Sequence, residues 1–320
     1  KRDDLSATEY GGNKVRKLEF LLGEARHEGR REVLTFGFAG SNHALATAFF
    51  ANKLGMRGIS VLLPQPNARS VRRNLLFGHH SGAEFHHYET QAAATVGTLA
   101  QLARHRIRHG AWPKIVPAGG SSPLGILGIV NGVLELDEQV RAGLMPAPRR
   151  IYTAVGSMGT TVGILIGLAL TGIEATVVPV RVIDASMASA PALETLFART
   201  VAFMRALDPS VPALDFQPAR SQWRDDYFGE RYALFTERGV EAIRMLEQTE
   251  GIRIDGTYAG KALAAVIGDA RAGALDGQSV LFWNTYNSRP FWESMPPIDY
   301  HVLPRTLHRY FEEPTQPLDT

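Results

Sequence analysis

Residues 33–63 read VLTFGFAGSNHALATAFFANKLGMRGISVLL, and this stretch decides the fold class. Residues 33–38 and 58–63 are short apolar runs that predict buried strands. Residues 41–54 lie between them and have the length and the alanine content of a helix. Two strands joined through a helix are parallel, because the connection is too long for a hairpin.

The same alternation of strands and helices continues along the chain. The sequence predicts further strands at residues 83–87, 114–117, 150–154, 175–180 and 279–283, and helices at 15–22, 67–81, 91–109, 162–170, 188–207, 237–250 and 258–272. A proline-rich patch at residues 145–148 separates two such series. We therefore expect an α/β protein with two open, mostly parallel sheets.

The composition is that of a globular protein: 45% of the 320 residues are hydrophobic and 21% are charged, which is wrong for a disordered chain. Cysteine is absent, which excludes disulfides, cysteine nucleophiles and thiolate metal sites. The 34 Lys and Arg nearly balance the 32 Asp and Glu, which argues against a nucleic-acid partner. Residues 162–180 are the longest apolar stretch, but Gly172 and Glu174 interrupt it, so we expect no membrane span. Since no signal peptide is evident at the start, we expect a cytoplasmic protein.

Many of the 31 glycines fall in four loops at predicted strand–helix junctions, where open α/β sheets bind ligands. The loops are residues 11–14, 37–43, 119–125 and 156–161. The last one follows a strand and opens an apolar helix, so its free N–H groups predict a phosphate site. Its spacing matches neither the dinucleotide fingerprint nor a P-loop. The alternative is a tight turn that needs glycine only for its backbone.

Lys14 is the candidate chemical group, because a lysine at a helix N-terminus has a lowered pKa and can act as a nucleophile. The alternative is a solvated surface lysine. The histidine pairs at residues 79–80 and 86–87 have no carboxylate or third ligand at a fixed spacing, so we expect no metal site.

Together these loops resemble the fold-type II (tryptophan synthase beta-like) pyridoxal-phosphate (PLP) enzymes, and in particular the D-cysteine desulfhydrases and 1-aminocyclopropane-1-carboxylate (ACC) deaminases. The matching blocks cover residues 1 to about 285 in order. They are KRDDL at residues 1–5, GGNKVRKLE at 11–19, SNH at 41–43, GGSSPLG at 119–125, GSMGT at 156–160 and DGTYAGKA at 255–262. The family has some tens of residues before the first block, so we expect a segment before Lys1 in the natural chain.

The resemblance implies roles for individual residues. Lys14 matches the lysine that forms a Schiff base with PLP, and Asn42 matches the asparagine that bonds the 3′-oxygen of the cofactor. Thr285 matches the hydroxyl residue that faces the pyridine nitrogen. The residues that match the phosphate loop are Gly156, Ser157, Met158, Gly159 and Thr160.

The resemblance also implies a substrate site. Tyr232 and Tyr258 match two active-site tyrosines with catalytic and substrate-binding roles. Ser41, Asn42 and His43 match residues that line the place of the substrate carboxylate. We also expect Tyr286 beside the substrate.

This chain departs from the family pattern at several site positions. The segment Asn284-Thr285-Tyr286-Asn287 stands where the family has His-Thr-Gly-Gly, which makes the standard D-cysteine pocket doubtful. Met158 replaces a glycine of the phosphate loop. Ala259 replaces the glutamate of the deaminase branch, which argues against ring-opening deamination.

The expected function is PLP-dependent α,β-elimination on a small amino acid, giving a keto acid and ammonia. The alternatives are ring opening, racemisation or β-replacement with the same cofactor, and a non-catalytic relative that binds PLP or a partner. The resemblance implies sheets with helices on both faces and PLP between two domains. It assigns residues 1–19 and 126–320 to a large domain, and 20–125 to a small mobile one. A homodimer is expected.

Overall fold

The computed structural model describes residues 1–319, with Ser294 described by its backbone alone. The chain divides into two compact units. Unit 1 comprises residues 1–17 and 121–289, and unit 2 comprises residues 18–120 and the segment from Pro290 onward. The division lies two and five residues from the predicted domain boundaries, and the segment from Pro290 onward, which the prediction assigned to the large domain, groups with unit 2.

Hydrogen bonds explain why the C-terminal segment belongs to unit 2. The backbone N–H of Gln65 donates to the Tyr310 hydroxyl at 3.1 Å, and the Arg72 guanidinium donates to the Tyr310 carbonyl at 2.6 Å. The rings of Phe77 and Phe291 also pack together, with centroids 4.6 Å apart. The sequence of this segment has no strand or long helix that could have shown where it packs.

Unit 2 is built on a four-stranded parallel sheet with the strand order β3-β2-β1-β4. Helix α1 (Asn13–His27) begins in unit 1 and continues into unit 2, because the units divide after Lys17. The further elements are β1 (Glu32–Phe38), α2 (Asn42–Lys53), β2 (Arg57–Leu63), α3 (Arg69–His80), β3 (Glu84–His87), α4 (Gln91–His109) and β4 (Lys114–Val116). Leu34 of β1 and Ile59 of β2 are neighbours in the sheet, and both are fully buried in its apolar core.

Unit 1 contains a three-stranded parallel sheet with the order β6-β5-β7. Its elements are α5 (Pro123–Arg141), β5 (Arg150–Val155), α6 (Gly159–Thr171), β6 (Thr176–Arg181), α7 (Ala190–Leu207), α8 (Glu237–Glu250), α9 (Ala259–Arg271) and β7 (Val280–Phe282). Helix α6 is apolar over residues 162–170 and packs closely on α5, since a Cβ on Gly163 would lie 2.5 Å from the Cβ of Ile129. This contact fixes the N-terminus of α6, which carries the predicted phosphate loop.

The predicted α/β class with two parallel sheets and helices on both faces is confirmed. Each predicted strand and helix is present, and α4 and α8 have the predicted bounds. Helix α5 is an addition, because the sequence interpretation treated its start only as a glycine-rich loop. No helix among residues 1–319 is long and apolar enough to cross a membrane.

Candidate active site

Lys14 lies in the first turn of α1, after a loop that is held by the C-terminal part of unit 1. The N–H of Gly11 donates to Asn287 Oδ1 at 2.8 Å, and the N–H of Asn13 donates to the Thr285 carbonyl at 3.1 Å. Gly11 and Asn13 are buried backbone positions that need partners for their N–H groups. The last residues of unit 1 therefore set the position of Lys14.

Burial lowers the pKa of Lys14 to about 8, while the nearby charge of Asp255 acts in the opposite direction. The lowered pKa agrees in direction with the sequence prediction, and burial is its largest cause. Burial also raises the pKa of Asp255 to about 6, against the effect of the Ala259 N–H, which donates to Asp255 Oδ1 at 2.8 Å. At neutral pH Asp255 is thus mostly ionised, and the Lys14 amine loses its proton close to neutrality.

The predicted phosphate loop forms the turn between β5 and α6, and its residues are Gly156, Ser157, Met158, Gly159 and Thr160. Met158 has a left-handed backbone, with φ 63°, which glycine adopts without strain. The N-cap residue of α6, Met158, makes no side-chain capping bond, and the Gly159 N–H donates to Ser121 Oγ. The turn before α6 still presents backbone N–H groups at a helix N-terminus, where an anion can bind.

Lys17 and Ser121 connect the first turns of α1 to this loop, and sequence reasoning missed both roles. Lys17 is fully buried, and its Nζ donates to Ser121 Oγ at 3.2 Å. Ser121 Oγ lies 2.8 Å from Ser157 Oγ and accepts from the Gly159 N–H at 3.2 Å. A Cβ on Gly159 would lie 2.9 Å from the Cβ of Ser121, so glycine is required there. Both residues belong to sequence blocks that carry the resemblance, which is the signal that could have found them.

Asn13 provides a second connection between Lys14 and the loop, because its Nδ2 donates to Thr160 Oγ1 at 2.8 Å. The next threonine, Thr161, has a buried hydroxyl with no partner among the described residues. The start of α6 is therefore polar on the side where Asn13 contacts it, although the rest of the helix is apolar.

Tyr232 and Tyr258 form a pair, with a hydrogen bond between their hydroxyl groups. Burial raises the pKa of both phenols. The Tyr258 ring also borders the phosphate loop, since a Cβ on Gly156 would lie 3.6 Å from its Cε1. The structure thus places Tyr258 beside the predicted phosphate loop and Tyr232 beside Tyr258.

A second buried lysine, Lys261, lies one turn into α9 and was not predicted as part of the site. Its Nζ donates to the Phe228 carbonyl at 2.5 Å, and burial lowers its pKa to about 8, with Asp255 acting in the opposite direction. Asp255 therefore influences two lysines, Lys14 and Lys261. Asp255 and Lys261 belong to a sequence block that carries the family resemblance, but within that block only Tyr258 was predicted to have a role in the site.

The segment Asn284-Thr285-Tyr286-Asn287, which departs from the family pattern, mainly makes hydrogen bonds that hold neighbouring backbone in place. The Thr285 carbonyl and the Asn287 side chain hold the Lys14 loop, and the N–H of Tyr286 donates to Asn284 Oδ1 at 3.2 Å. The side-chain Nδ2 atoms of Asn284 and Asn287 are buried without a partner among the described residues. They are donors that an added acceptor could satisfy. Tyr286 is part-buried beside Tyr10, so its expected substrate contact stays a prediction.

Ser41, Asn42 and His43 lie in unit 2, at the start of α2. Ser41 Oγ caps this helix by accepting from Ala44 N–H at 3.2 Å, and Asn42 Oδ1 accepts from Asn74 Nδ2 at 3.0 Å. His43 is 3% exposed, and its Nε2 lies 2.9 Å from the hydroxyl of Thr35 in β1. The His43 ring thus points into the sheet, and the cofactor and substrate roles of these three residues stay predictions.

Comparison with known proteins agrees with the geometry. Residues 1–285 match the family described as pyridoxal-phosphate dependent enzyme. The chain is 34% identical to a D-cysteine desulfhydrase of Serratia proteamaculans over 89% of this chain and 84% of that protein. It is 32% identical to a nocardicin C-9′ epimerase of Nocardia uniformis subsp. tsuyamanensis over 95% of this chain and 90% of that protein.

A solved structure of an ACC deaminase homologue superposes with a TM-score of 0.73 at 30% identity, covering 90% of this chain and 84% of that one. The resemblance found in the sequence blocks is thereby confirmed over most of the chain. From these matches, the chain belongs to the family of pyridoxal-phosphate dependent enzymes.

Proposed function

We propose that this protein is a lyase that uses PLP for α,β-elimination on a small amino acid, as a D-cysteine desulfhydrase does, giving a keto acid and ammonia. The observation that carries the proposal is the arrangement around Lys14. A buried amine with a pKa of about 8 follows a loop tied to the start of α6. The Tyr258 phenol borders the turn before that helix and is hydrogen-bonded to the Tyr232 phenol.

The residues present fit PLP in three respects. Lys14 is a lysine whose amine is readily deprotonated, as attack on an aldehyde requires. The turn at residues 156–160 offers backbone N–H groups at a helix N-terminus, with glycine at position 159, where a Cβ would clash with Ser121. The buried hydroxyl of Thr161 and the Asn287 Nδ2 are polar atoms that still need partners.

When bound, PLP supplies an electron sink that stabilises a carbanion at the substrate Cα. The chain must supply the proton transfers. We assign removal of the Cα proton to Lys14 Nζ, because its lowered pKa makes the neutral amine available as a base near neutral pH. The ionised Asp255 nearby stabilises the ammonium that this step produces.

We assign protonation of the leaving group to Tyr258, supported by Tyr232. The bond between Cβ and the leaving atom breaks with its electron pair on that atom, and the Tyr258 hydroxyl supplies the proton. The released enamine is hydrolysed by water to a keto acid and ammonia. The raised pKa of Tyr258 means that this phenol holds its proton at neutral pH until the leaving group takes it.

The experiment compares the wild-type protein with Lys14→Ala and, as control, Lys53→Ala, which changes a lysine at the end of α2. We expect visible absorbance of lysine-bound cofactor in the wild type and the control, and none in Lys14→Ala. Borohydride reduction followed by peptide mass spectrometry should locate the cofactor on Lys14, and not on Lys17 or Lys261. A D- and L-cysteine assay for keto acid then tests the elimination. Cofactor attachment that survives in Lys14→Ala would refute the proposal.

A second candidate function is epimerisation at Cα, which is favoured by the match to the nocardicin C-9′ epimerase over 95% of this chain. The same base at Lys14 would serve it, and the leaving-group proton would not be needed. Exchange of the Cα proton with solvent without formation of keto acid distinguishes epimerisation from elimination.

The homodimeric state, the cytoplasmic location and the lack of a nucleic-acid partner remain predictions from the sequence and the family resemblance. We propose the dimer as the functional form, and sedimentation of the purified holoenzyme would test it: a single species of 35.0 kDa would contradict it.

A further inference from the structure

A second cluster of titratable side chains lies in unit 2, away from the loop at the start of α2. Glu32 is the first residue of β1, while His105 and His109 lie four residues apart on α4, so that both rings share one face of the helix. The rings lie 5.7 Å apart between centroids. Both histidines contact the same carboxylate, although 73 residues separate Glu32 from His105.

The distances within this cluster are those of a metal-binding group. Glu32 Oε1 lies 3.0 Å from His105 Nδ1 and 3.6 Å from His109 Nε2, and the three ligand atoms all lie within 4.8 Å of one another. Nitrogen and oxygen ligands at about 2.0–2.1 Å from a tetrahedral zinc ion are roughly 3.4 Å apart. Small side-chain rotations would therefore place all three atoms around one ion.

The other nitrogen of His105 has the partner that a metal-bound histidine needs. His105 Nε2 lies 3.4 Å from Glu84 Oε1. Histidines that bind metals through one ring nitrogen commonly donate the N–H of the other to a carboxylate, which fixes the ring and its tautomer. His105 is 1% exposed, so both of its nitrogens have carboxylate neighbours inside the protein. A neutral His105 can bind an ion through Nδ1 and donate its Nε2–H to Glu84, so both ring nitrogens have a partner.

The surrounding charges favour Glu32 over Glu84 as the ligand. Glu84 is already engaged by Arg104 at 3.0 Å and by His86 at 3.0 Å. Besides the two histidines, Glu32 has a longer contact with Arg57, at 3.8 Å, and the half-exposed Arg57 side chain also lies 3.7 Å from Glu84.

The cluster is also open to solvent. Glu32 and His109 line a cavity of about 610 Å³, and the His109 side chain is 31% exposed. Arg31, Arg57 and Arg108 line the same cavity and oppose a free cation. Their charge favours an anionic fourth ligand, such as hydroxide, on the bound ion.

We propose that Glu32, His105 and His109 bind one divalent transition-metal ion of the zinc class, with Glu84 as the hydrogen-bond partner of His105. Two imidazoles and one carboxylate with an open fourth position are a ligand set that suits Zn²⁺. The ion joins α4 to the first residue of β1. Strand β1 has seven residues, so the ion lies about 20 Å from the loop that follows the other end of the strand. Its role is structural.

The test uses the untagged holoenzyme, freed of metal with a chelator and titrated with Zn²⁺ by calorimetry. We expect one Zn²⁺ per chain and a rise in the midpoint of thermal unfolding. In His109→Gln and Glu32→Gln the affinity should fall by at least about 100-fold, and Glu84→Gln should lower it about 10–100-fold. His301→Gln is the matched control, because His301 is an exposed histidine paired with Asp299 at 2.6 Å.

A Co²⁺ titration gives a second readout. Since the chain has no cysteine, visible Co²⁺ absorbance would report nitrogen and oxygen ligands only. The cofactor absorbance serves as the check on folding, and the rate of keto acid formation should not change in His109→Gln. No Zn²⁺ binding below about 1 mM, or equal affinity in wild type and His109→Gln, would overturn the proposal. Loss of binding in His86→Gln but not in His109→Gln would overturn the ligand assignment.

Discussion

The hydroxyl groups of Tyr232 and Tyr258 are hydrogen-bonded to each other, and their rings meet at 65° with centroids 6.1 Å apart. Burial raises the pKa of both phenols, and their mutual hydrogen bond lowers that of Tyr258 while raising that of Tyr232. Either hydroxyl can be the donor in this bond. With Tyr232 as the donor, the proton of Tyr258 can be directed at a substrate.

We expect Tyr258→Phe to lose elimination activity selectively. With cysteine, whose thiolate needs a proton, kcat should fall by about 10²–10⁴, the range for loss of a general acid. With β-chloroalanine the leaving chloride needs no proton, so the loss should stay below about tenfold. Keto acid formation from both substrates measures this. Tyr152→Phe is the control, because its hydroxyl bonds Asp269 instead. Equal losses with both substrates would refute the assignment of the acid.

The pKa of about 8 for Lys14 predicts how fast the apoprotein takes up PLP. Only the neutral amine attacks the aldehyde, so the rate should fall about tenfold for each pH unit below 8 and level off above it. Visible absorbance after rapid mixing measures the rate. In Asp255→Asn the negative charge that raises the pKa of Lys14 is removed, so the midpoint should move to lower pH. A midpoint near 10.5 in the wild type would show that Lys14 is solvated.

Asn287 stands where the family has glycine, and we expect its substitution to lower both thermal stability and PLP binding. Asn287→Ala removes the acceptor of the Gly11 and Arg289 N–H groups, at 2.8 Å and 3.0 Å. Leaving a buried N–H unpaired costs about 1–3 kcal/mol. We expect a lower midpoint of thermal unfolding and weaker PLP binding, because the loop before Lys14 loosens. Asn287→Asp keeps an acceptor and should restore most of both. The neighbouring Ser288→Ala is the control, and an effect as large in that variant would argue against a specific role for Asn287.

The helices whose bounds the sequence predicted best are those with a side-chain N-cap and a glycine C-cap. Helix α4 begins after the Thr90 cap and ends at Gly110, and α8 begins after the Thr236 cap and ends at Gly251, which has a left-handed backbone. Helix α5 has a Ser122 cap as well, but its glycines drew attention to a ligand loop and hid the helix.

Sequence alone could point to site residues only where they form a short continuous motif. Lys14 and the turn at residues 156–160 each form a compact motif, whereas the contact between Lys17 and Ser121 spans 104 residues and has no sequence period. The cluster of Glu32, His105 and His109 was missed for the same reason, because 73 residues separate Glu32 from His105. The sequence drew attention instead to the adjacent histidine pairs at residues 79–80 and 86–87. The resemblance assigns His43 a place beside the substrate carboxylate, and this role stays a prediction, because the buried ring contacts Thr35 in β1.

The loop before Lys14 is held by bonds to Thr285 and Asn287, the second of which spans 276 residues. On a ribosome that adds about 5–20 residues per second, roughly 15–55 s pass between the synthesis of these two parts. During that time Lys14 is a lysine on an unfinished chain, with an ordinary amine and no loop to hold it. The order of synthesis thus delays assembly of the reactive lysine until nearly the whole of unit 1 has been made.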